Sequence, residues 1–122
     1  MKPILALLAA CALTPAAQAQ RLYAVQPLNG YMCMRLNVTE REVLDPHGGI
    51  PIRTAPRGDA PIGTLASSVL LTKQPLHVVG GYAEVMQLTG QPGWIEVDRM
   101  KPFDPMTRCV PSIMSNGRPG IG

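Results

Sequence analysis

The chain has 122 residues, with 11 Lys and Arg against 8 Asp and Glu and a formal net charge of +3 at pH 7. That length suits one domain. The basic residues are dispersed and only 4% of residues are aromatic, which argues against a nucleic-acid partner. Beyond residue 20 no apolar run approaches the roughly eighteen residues of a membrane-spanning helix, so the remainder is expected not to be transmembrane.

The first segment, MKPILALLAACALTPAAQAQ, has the layout of a secretory signal. Lys2 gives a positive start, residues 4–13 an apolar run, and Ala17-Gln18-Ala19 a small-x-small cleavage site. Cleavage after Ala19 predicts a periplasmic or secreted chain starting at Gln20, with about 103 residues. The alternative is a lipoprotein: LAAC, residues 8–11, matches a lipobox, and lipidation at Cys11 would anchor the chain to a membrane.

Residues 20–49 read as an N-terminal extension. RLYAVQPLNGYMCMRL is an extended entry with a turn at Pro27–Gly30 and a strand over 31–36. Thr39 followed three residues later by Glu42 makes a capping box. The short helix it starts ends at Asp45-Pro46, because a proline disfavours helical geometry in the residue before it. Residues 50–103 then read as β. GIPIRT is an edge or first strand, since Pro51 has no amide to give a ladder. APRGDAPIGTL is a turn-rich loop ending in a strand. SVLLT, LHVV, YAEVMQL and GWIEV are short runs separated by Gly, Pro or Lys-Gln-Pro. Strands at this spacing predict a mainly β fold, a small barrel or sandwich. Residues 104–122 form a Gly/Pro-rich tail, for which no regular structure is expected beyond Cys109.

Three cysteines are present, and Cys11 leaves with the signal. The remaining two, Cys33 and Cys109, predict a disulfide in an exported chain. That bond would tether the N-terminal extension to the C-terminal tail.

From Pro51 to Phe103 the order of motifs resembles the bacterial SH3-like domain, a small barrel of exported cell-envelope proteins. Ile52, Arg53 and Pro56 match its opening segment, and Ile62, Gly63 and Leu65 its hydrophobic-Gly-x-hydrophobic step. Tyr82 and Val85 match the aromatic strand, and Gly90, Gly93, Trp94 and Ile95 the closing turn and G-W-[IV]. The family often has tryptophan where Tyr82 stands, and the stretch from Ala66 to Gly81 is longer than usual. The resemblance implies a non-catalytic binding or adaptor module that meets peptidoglycan or an envelope protein. It makes Trp94, Tyr82 and Arg53 the candidate ligand contacts. Trp94 has a packing role as its other reading, its ring covering the end of the barrel. A second functional reading is an accessory structural subunit, docking on a larger envelope partner through the tail and an exposed Ile113 and Met114.

Catalytic candidates are sparse. A thiol enzyme would need Cys33 beside His47 or His77, but Cys33 has a natural disulfide partner, and each histidine reads as a surface or turn residue. Glu96 and Asp98 would share a strand face as solvated charges. In Met32-Cys33-Met34 the thioethers point away from the thiol on a strand, which disfavours a soft-metal site. No phosphate loop and no zinc spacing is present, so no cofactor is expected.

Overall fold

The computed structural model describes residues 21–122. The signal layout, the Ala19 cleavage point and Cys11 lie outside those residues. In chain order the elements are β1 (Ala24–Pro27), β2 (Tyr31–Leu36), α1 (Glu40–Leu44), β3 (Pro51–Arg53), β4 (Ile62–Leu65), β5 (Val69–Lys73) and β6 (Val78–Val79). There follow β7 (Tyr82–Met86), β8 (Pro92–Glu96), a 3₁₀ turn at Val97–Arg99, β9 (Met100–Pro102), β10 (Pro111–Met114) and β11 (Pro119–Ile121). The molecule is mainly β. Among the described residues no helix is long and apolar enough to cross a membrane.

Eight strands form one antiparallel sheet in the order β4-β3-β8-β7-β5-β2-β9, with β6 pairing on β7. Among the described residues no pairing between β4 and β9 closes this ladder. Its inner face follows from two-residue alternation. Ala83, Val85 and Gln87 point inward along and just beyond β7, Gly93 and Ile95 along β8, Leu70 and Thr72 along β5, and Ile52 along β3; all are buried. Ile52, Leu70, Val85 and Ile95 form the core, and Met34, Leu36, Ile50, Ala66 and Met100 pack around it. The Thr72 hydroxyl, fully buried, finds the thioether of Met100 at 3.6 Å.

Glutamine 87 is a second buried polar residue on this face, beside Thr72, and its bonds explain two glycines. Its side-chain oxygen accepts from the Thr64 hydroxyl at 2.7 Å, and its amide donates to the Pro92 carbonyl at 3.1 Å. A β-carbon on Gly63 would stand 2.6 Å from Gln87 Oε1, and one on Gly93 3.0 Å from Gln87 Cγ. The two glycines make room for a hydrogen-bonded amide that is 4% exposed, as a buried polar group requires.

The tail is ordered, contrary to the expectation from its composition. β10 and β11 form a hairpin, and β1 adds to the other side of β10, giving a three-stranded sheet β1-β10-β11. The hairpin loop is Ser115–Gly117: the Gly117 amide donates to the Met114 carbonyl at 2.8 Å, and the Met114 amide to the Arg118 carbonyl at 2.8 Å. Gly117 takes a left-handed φ of +82°, the conformation a three-residue hairpin loop needs at its last position. Prolines 111 and 119 do not forbid these strands, because each stands first in its strand.

This small sheet lies against the outer face of the large one. Leu71 points outward from β5, yet it is only 2% exposed. It shares a cleft with Met114 and Pro119. β5 is thus covered on both faces, which is why VLLT reads as an unbroken apolar run. The Cys33–Cys109 disulfide joins the layers, with a Cα–Cα distance of 6.3 Å and a sequence separation of 76. Ile113 and Met114, expected to be exposed, are half-buried in the central strand of this sheet.

Thr39 caps α1 as its spacing with Glu42 predicts: the Glu42 amide donates to Thr39 Oγ1 at 3.2 Å, and the Thr39 amide donates to Glu42 Oε1 at 2.9 Å. Glu42 also binds Arg99 through both carboxylate oxygens, at 3.0 and 2.8 Å. That fork ties the helix to the 3₁₀ turn after β8. The Arg99 hydrogen bond, then the Thr39 amide, pull the Glu42 carboxyl from its ordinary 4.5 to about 2.

Candidate functional site

Antiparallel pairing brings the three candidate contacts onto one face. Arg53 on β3 stands opposite Trp94 on β8. Trp94 in turn stands opposite Glu84 on β7, and Tyr82 opposite Glu96. The register follows from the loop Leu88–Gly90, where the Gly90 amide donates to the Gln87 carbonyl at 2.9 Å and Gly90 adopts a φ of +95°. This is the same three-residue device that closes β10 and β11.

Two loops border the face. Residues 54–61 connect β3 to β4. The loop is closed by the Thr54 amide on the Pro61 carbonyl at 2.9 Å and by Arg53 Nη1 on the Ala60 carbonyl at 2.8 Å. Arg53 therefore holds this loop with part of its guanidinium. The loop tip reaches Tyr82, since a β-carbon on Gly58 would lie 3.4 Å from the tyrosine oxygen. The second border is residues 74–81: 74–77 bulge between β5 and β6, and the turn after β6 arrives beside the first loop, where a β-carbon on Gly80 would be 3.6 Å from the Pro56 carbonyl.

The bulge carries His77 onto Trp94, with ring centroids 5.4 Å apart at 64°, an edge-on contact. His77 Nδ1 lies 2.8 Å from Glu84 Oε1, and Lys73 Nζ lies 3.6 Å from the same oxygen. The Glu84 side chain is 13% exposed, between partners that are about half-exposed. Trp94 is half-buried, so its ring both packs on His77 and presents surface. The packing and contact readings of this residue are compatible.

Tyr82 and Arg53 share a cleft of about 110 Å³ with Ile50, Pro51, Glu96 and Arg99. His77, Glu84 and Lys73 were not singled out from the sequence as neighbours of Trp94. The Glu84–Trp94 pairing could have been read from the hairpin loop at Gly90, but the bulge that delivers His77 leaves no periodic signal.

The other candidates stay apart. His47 is exposed in a turn, its amide on Asp45 Oδ1 at 2.9 Å. Cys33 is 7% exposed and committed to its disulfide, so its sulfur is no nucleophile while that bond stands. Met34 packs against the core while Met32 is exposed. Glu96 ends β8 and Asp98 lies in the 3₁₀ turn, so they do not share a strand face as expected. Among the described residues no group of three or more His, Cys, Asp or Glu is placed to hold a metal.

No protein-family model matches the chain, and no curated protein or solved structure matches it either.

Proposed function

We propose that the chain is an exported, non-catalytic SH3-like module of the bacterial cell envelope. It binds peptidoglycan or an envelope protein across the face of Trp94, Tyr82 and Arg53. One observation carries this reading: Arg53 and Trp94 are direct cross-strand partners, with Tyr82 beside them, between the loops 54–61 and 74–81. An indole and a phenol give flat surfaces for a sugar ring or an extended peptide. Glu84, His77 and Lys73 add hydrogen-bonding groups at the rim of the indole.

Export is supported by the signal layout and by a disulfide, a bond that persists in oxidising compartments. The SH3-like assignment is supported by the order of motifs from Ile52 to Ile95 and by the mainly β, antiparallel pairing of the strands that carry them. A docking role for the tail has less behind it, because Ile113 and Met114 are half-buried in their own sheet. Sedimentation with purified sacculi at low salt tests the wall-binding form. The protein should pellet with the sacculi; its remaining in the supernatant would remove peptidoglycan as the ligand.

A further inference from the structure

The row that pairs Arg53 with Trp94 and Trp94 with Glu84 does not end on β7. Leu71 pairs with Met86 and Thr72 with Val85, so the next position sets Lys73 beside Glu84, with Nζ 3.6 Å from Oε1. Lys73 pairs in turn with Tyr31 on β2. Paired residues point to the same side of a sheet. Tyr31, Lys73, Glu84, Trp94 and Arg53 therefore form one line on the outer face, across β2, β5, β7, β8 and β3. At about 4.8 Å from strand to strand, that line is about 19 Å long.

The line alternates flat rings with hydrogen-bonding groups. Tyr31 and Trp94 are half-buried, and the Lys73 side chain is 44% exposed. Glu84 is mostly covered and serves as an anchor, because the oxygen that meets Lys73 also lies 2.8 Å from His77 Nδ1. A carboxylate only accepts, so Nδ1 carries the hydrogen, and Nε2 has no partner among the described residues. Two residues along the same strands, Leu71 lies under the small sheet and Cys33 is bonded to Cys109. That layer stands beside the line and leaves Tyr31 and Lys73 partly exposed.

We propose that this line takes a linear glycan lying across the strands, with Tyr31 and Lys73 as a second contact station about 14 Å from Trp94. The inference rests on the reading of the Trp94 face as a wall-binding surface, and it names the chemistry and reach of the ligand. Three observations select a glycan. The C–H face of a sugar ring packs on an indole or phenol while its hydroxyls need donors and acceptors around the ring, and the line supplies both. Lys73 and Arg53 balance Glu84 and Glu96 on this face, which suits a neutral chain better than a polyanion. β5, β7 and β8 each have neighbours on both sides, so they offer no free edge for an extended peptide to join.

Trp94 emission, titrated with the dimer and the hexamer of N-acetylglucosamine as peptide-free probes, tests the assignment. The hexamer should bind at least about fivefold tighter than the dimer, as one added aromatic contact allows. Tyr31→Ala should remove most of that gain, and Tyr31→Phe, which keeps the ring, should retain it. Lys73→Gln should also cut the gain, and its test does not depend on the fold tolerating Tyr31→Ala. Equal binding of dimer and hexamer would overturn the proposal. So would an undiminished gain in both Tyr31→Ala and Lys73→Gln, because the longer chain would then profit from Trp94 alone. A wall stem tetrapeptide that binds tighter than the hexamer would overturn it in favour of a peptide. No emission change with either glycan, while sacculi still pellet the protein, would overturn the line and spare wall binding. Protein left in the supernatant would remove the wall-binding reading itself, and this inference with it.

Discussion

The Cγ2 methyl of Ile52 occupies the space that a β-carbon on Gly93 would need. β3 and β8 cross so closely there that the residue before Trp94 can only be glycine. The contact sets the position of the tryptophan as well as the density of the core. Gly93→Ala must push Ile52, and the Gln87 side chain behind it, off their packing. Overpacking of this kind costs about 1–3 kcal/mol, so the midpoint of urea unfolding should fall accordingly. A variant as stable as the parent would show that β3 and β8 do not meet as described.

The disulfide should carry a large share of the stability. Closing a loop of 76 residues in sequence separation is worth roughly 4–5 kcal/mol on the chain-entropy model, against a typical total of about 5–15 kcal/mol for a domain. A free-thiol assay on residues 20–122 should find no reactive thiol. Cys33→Ala with Cys109→Ala should lower the unfolding free energy by several kcal/mol and leave β1, β10 and β11 the first region to exchange amide hydrogens.

Acid should loosen α1 before the core. Glu42 is held at about 2 against an ordinary 4.5, first by the Arg99 hydrogen bond and then by the Thr39 amide. A depressed carboxylate contributes stability that is fully present above its unfolded value and is lost as pH falls through the folded one. Thermal stability should therefore decline between about pH 4.5 and 2, and Glu42→Gln should flatten that part of the profile. An unchanged acid slope in the variant would mean that the Arg99 fork is not formed in solution.

His77 is predicted to shield Trp94 without holding the fold. Its edge contact and its bond to Glu84 lie at a half-exposed position, where aromatic and ionic pairs contribute about 1 kcal/mol or less. His77→Ala should lower the unfolding free energy by no more than that, yet shift the tryptophan emission to longer wavelength as water reaches the ring. A large loss of stability instead would make His77 a packing residue.

Much of the large sheet could be read in the sequence, because its strands alternate. YAEVMQL places Ala83, Val85 and Gln87 inward as its period demands, and GWIEV follows a turn whose glycine sets the register. The Cys33–Cys109 pair followed from counting the two thiols beyond residue 20 and expecting them to pair. The tail did not follow, since Gly and Pro were weighed as breakers while Asn116-Gly117 was a hairpin loop between strands that begin with proline. β9 was also missed: three residues ending in Pro102 are too few to show a period. At the site, Arg53, Tyr82 and Trp94 were identified from motif order, whereas His77 arrives through a bulge that only the folded sheet reveals.

Trp94 is the single tryptophan of the chain, so tryptophan emission, excited apart from the three tyrosines, reports on the proposed binding face. Titrating residues 20–122 with soluble peptidoglycan fragments, while following that emission, tests the central claim directly. The account predicts a saturable change in wavelength or intensity, abolished by Arg53→Ala combined with Tyr82→Ala when both variants remain folded. Sedimentation with intact sacculi accompanied by no change in Trp94 emission at any fragment concentration would contradict it, because the wall would then be held by another surface.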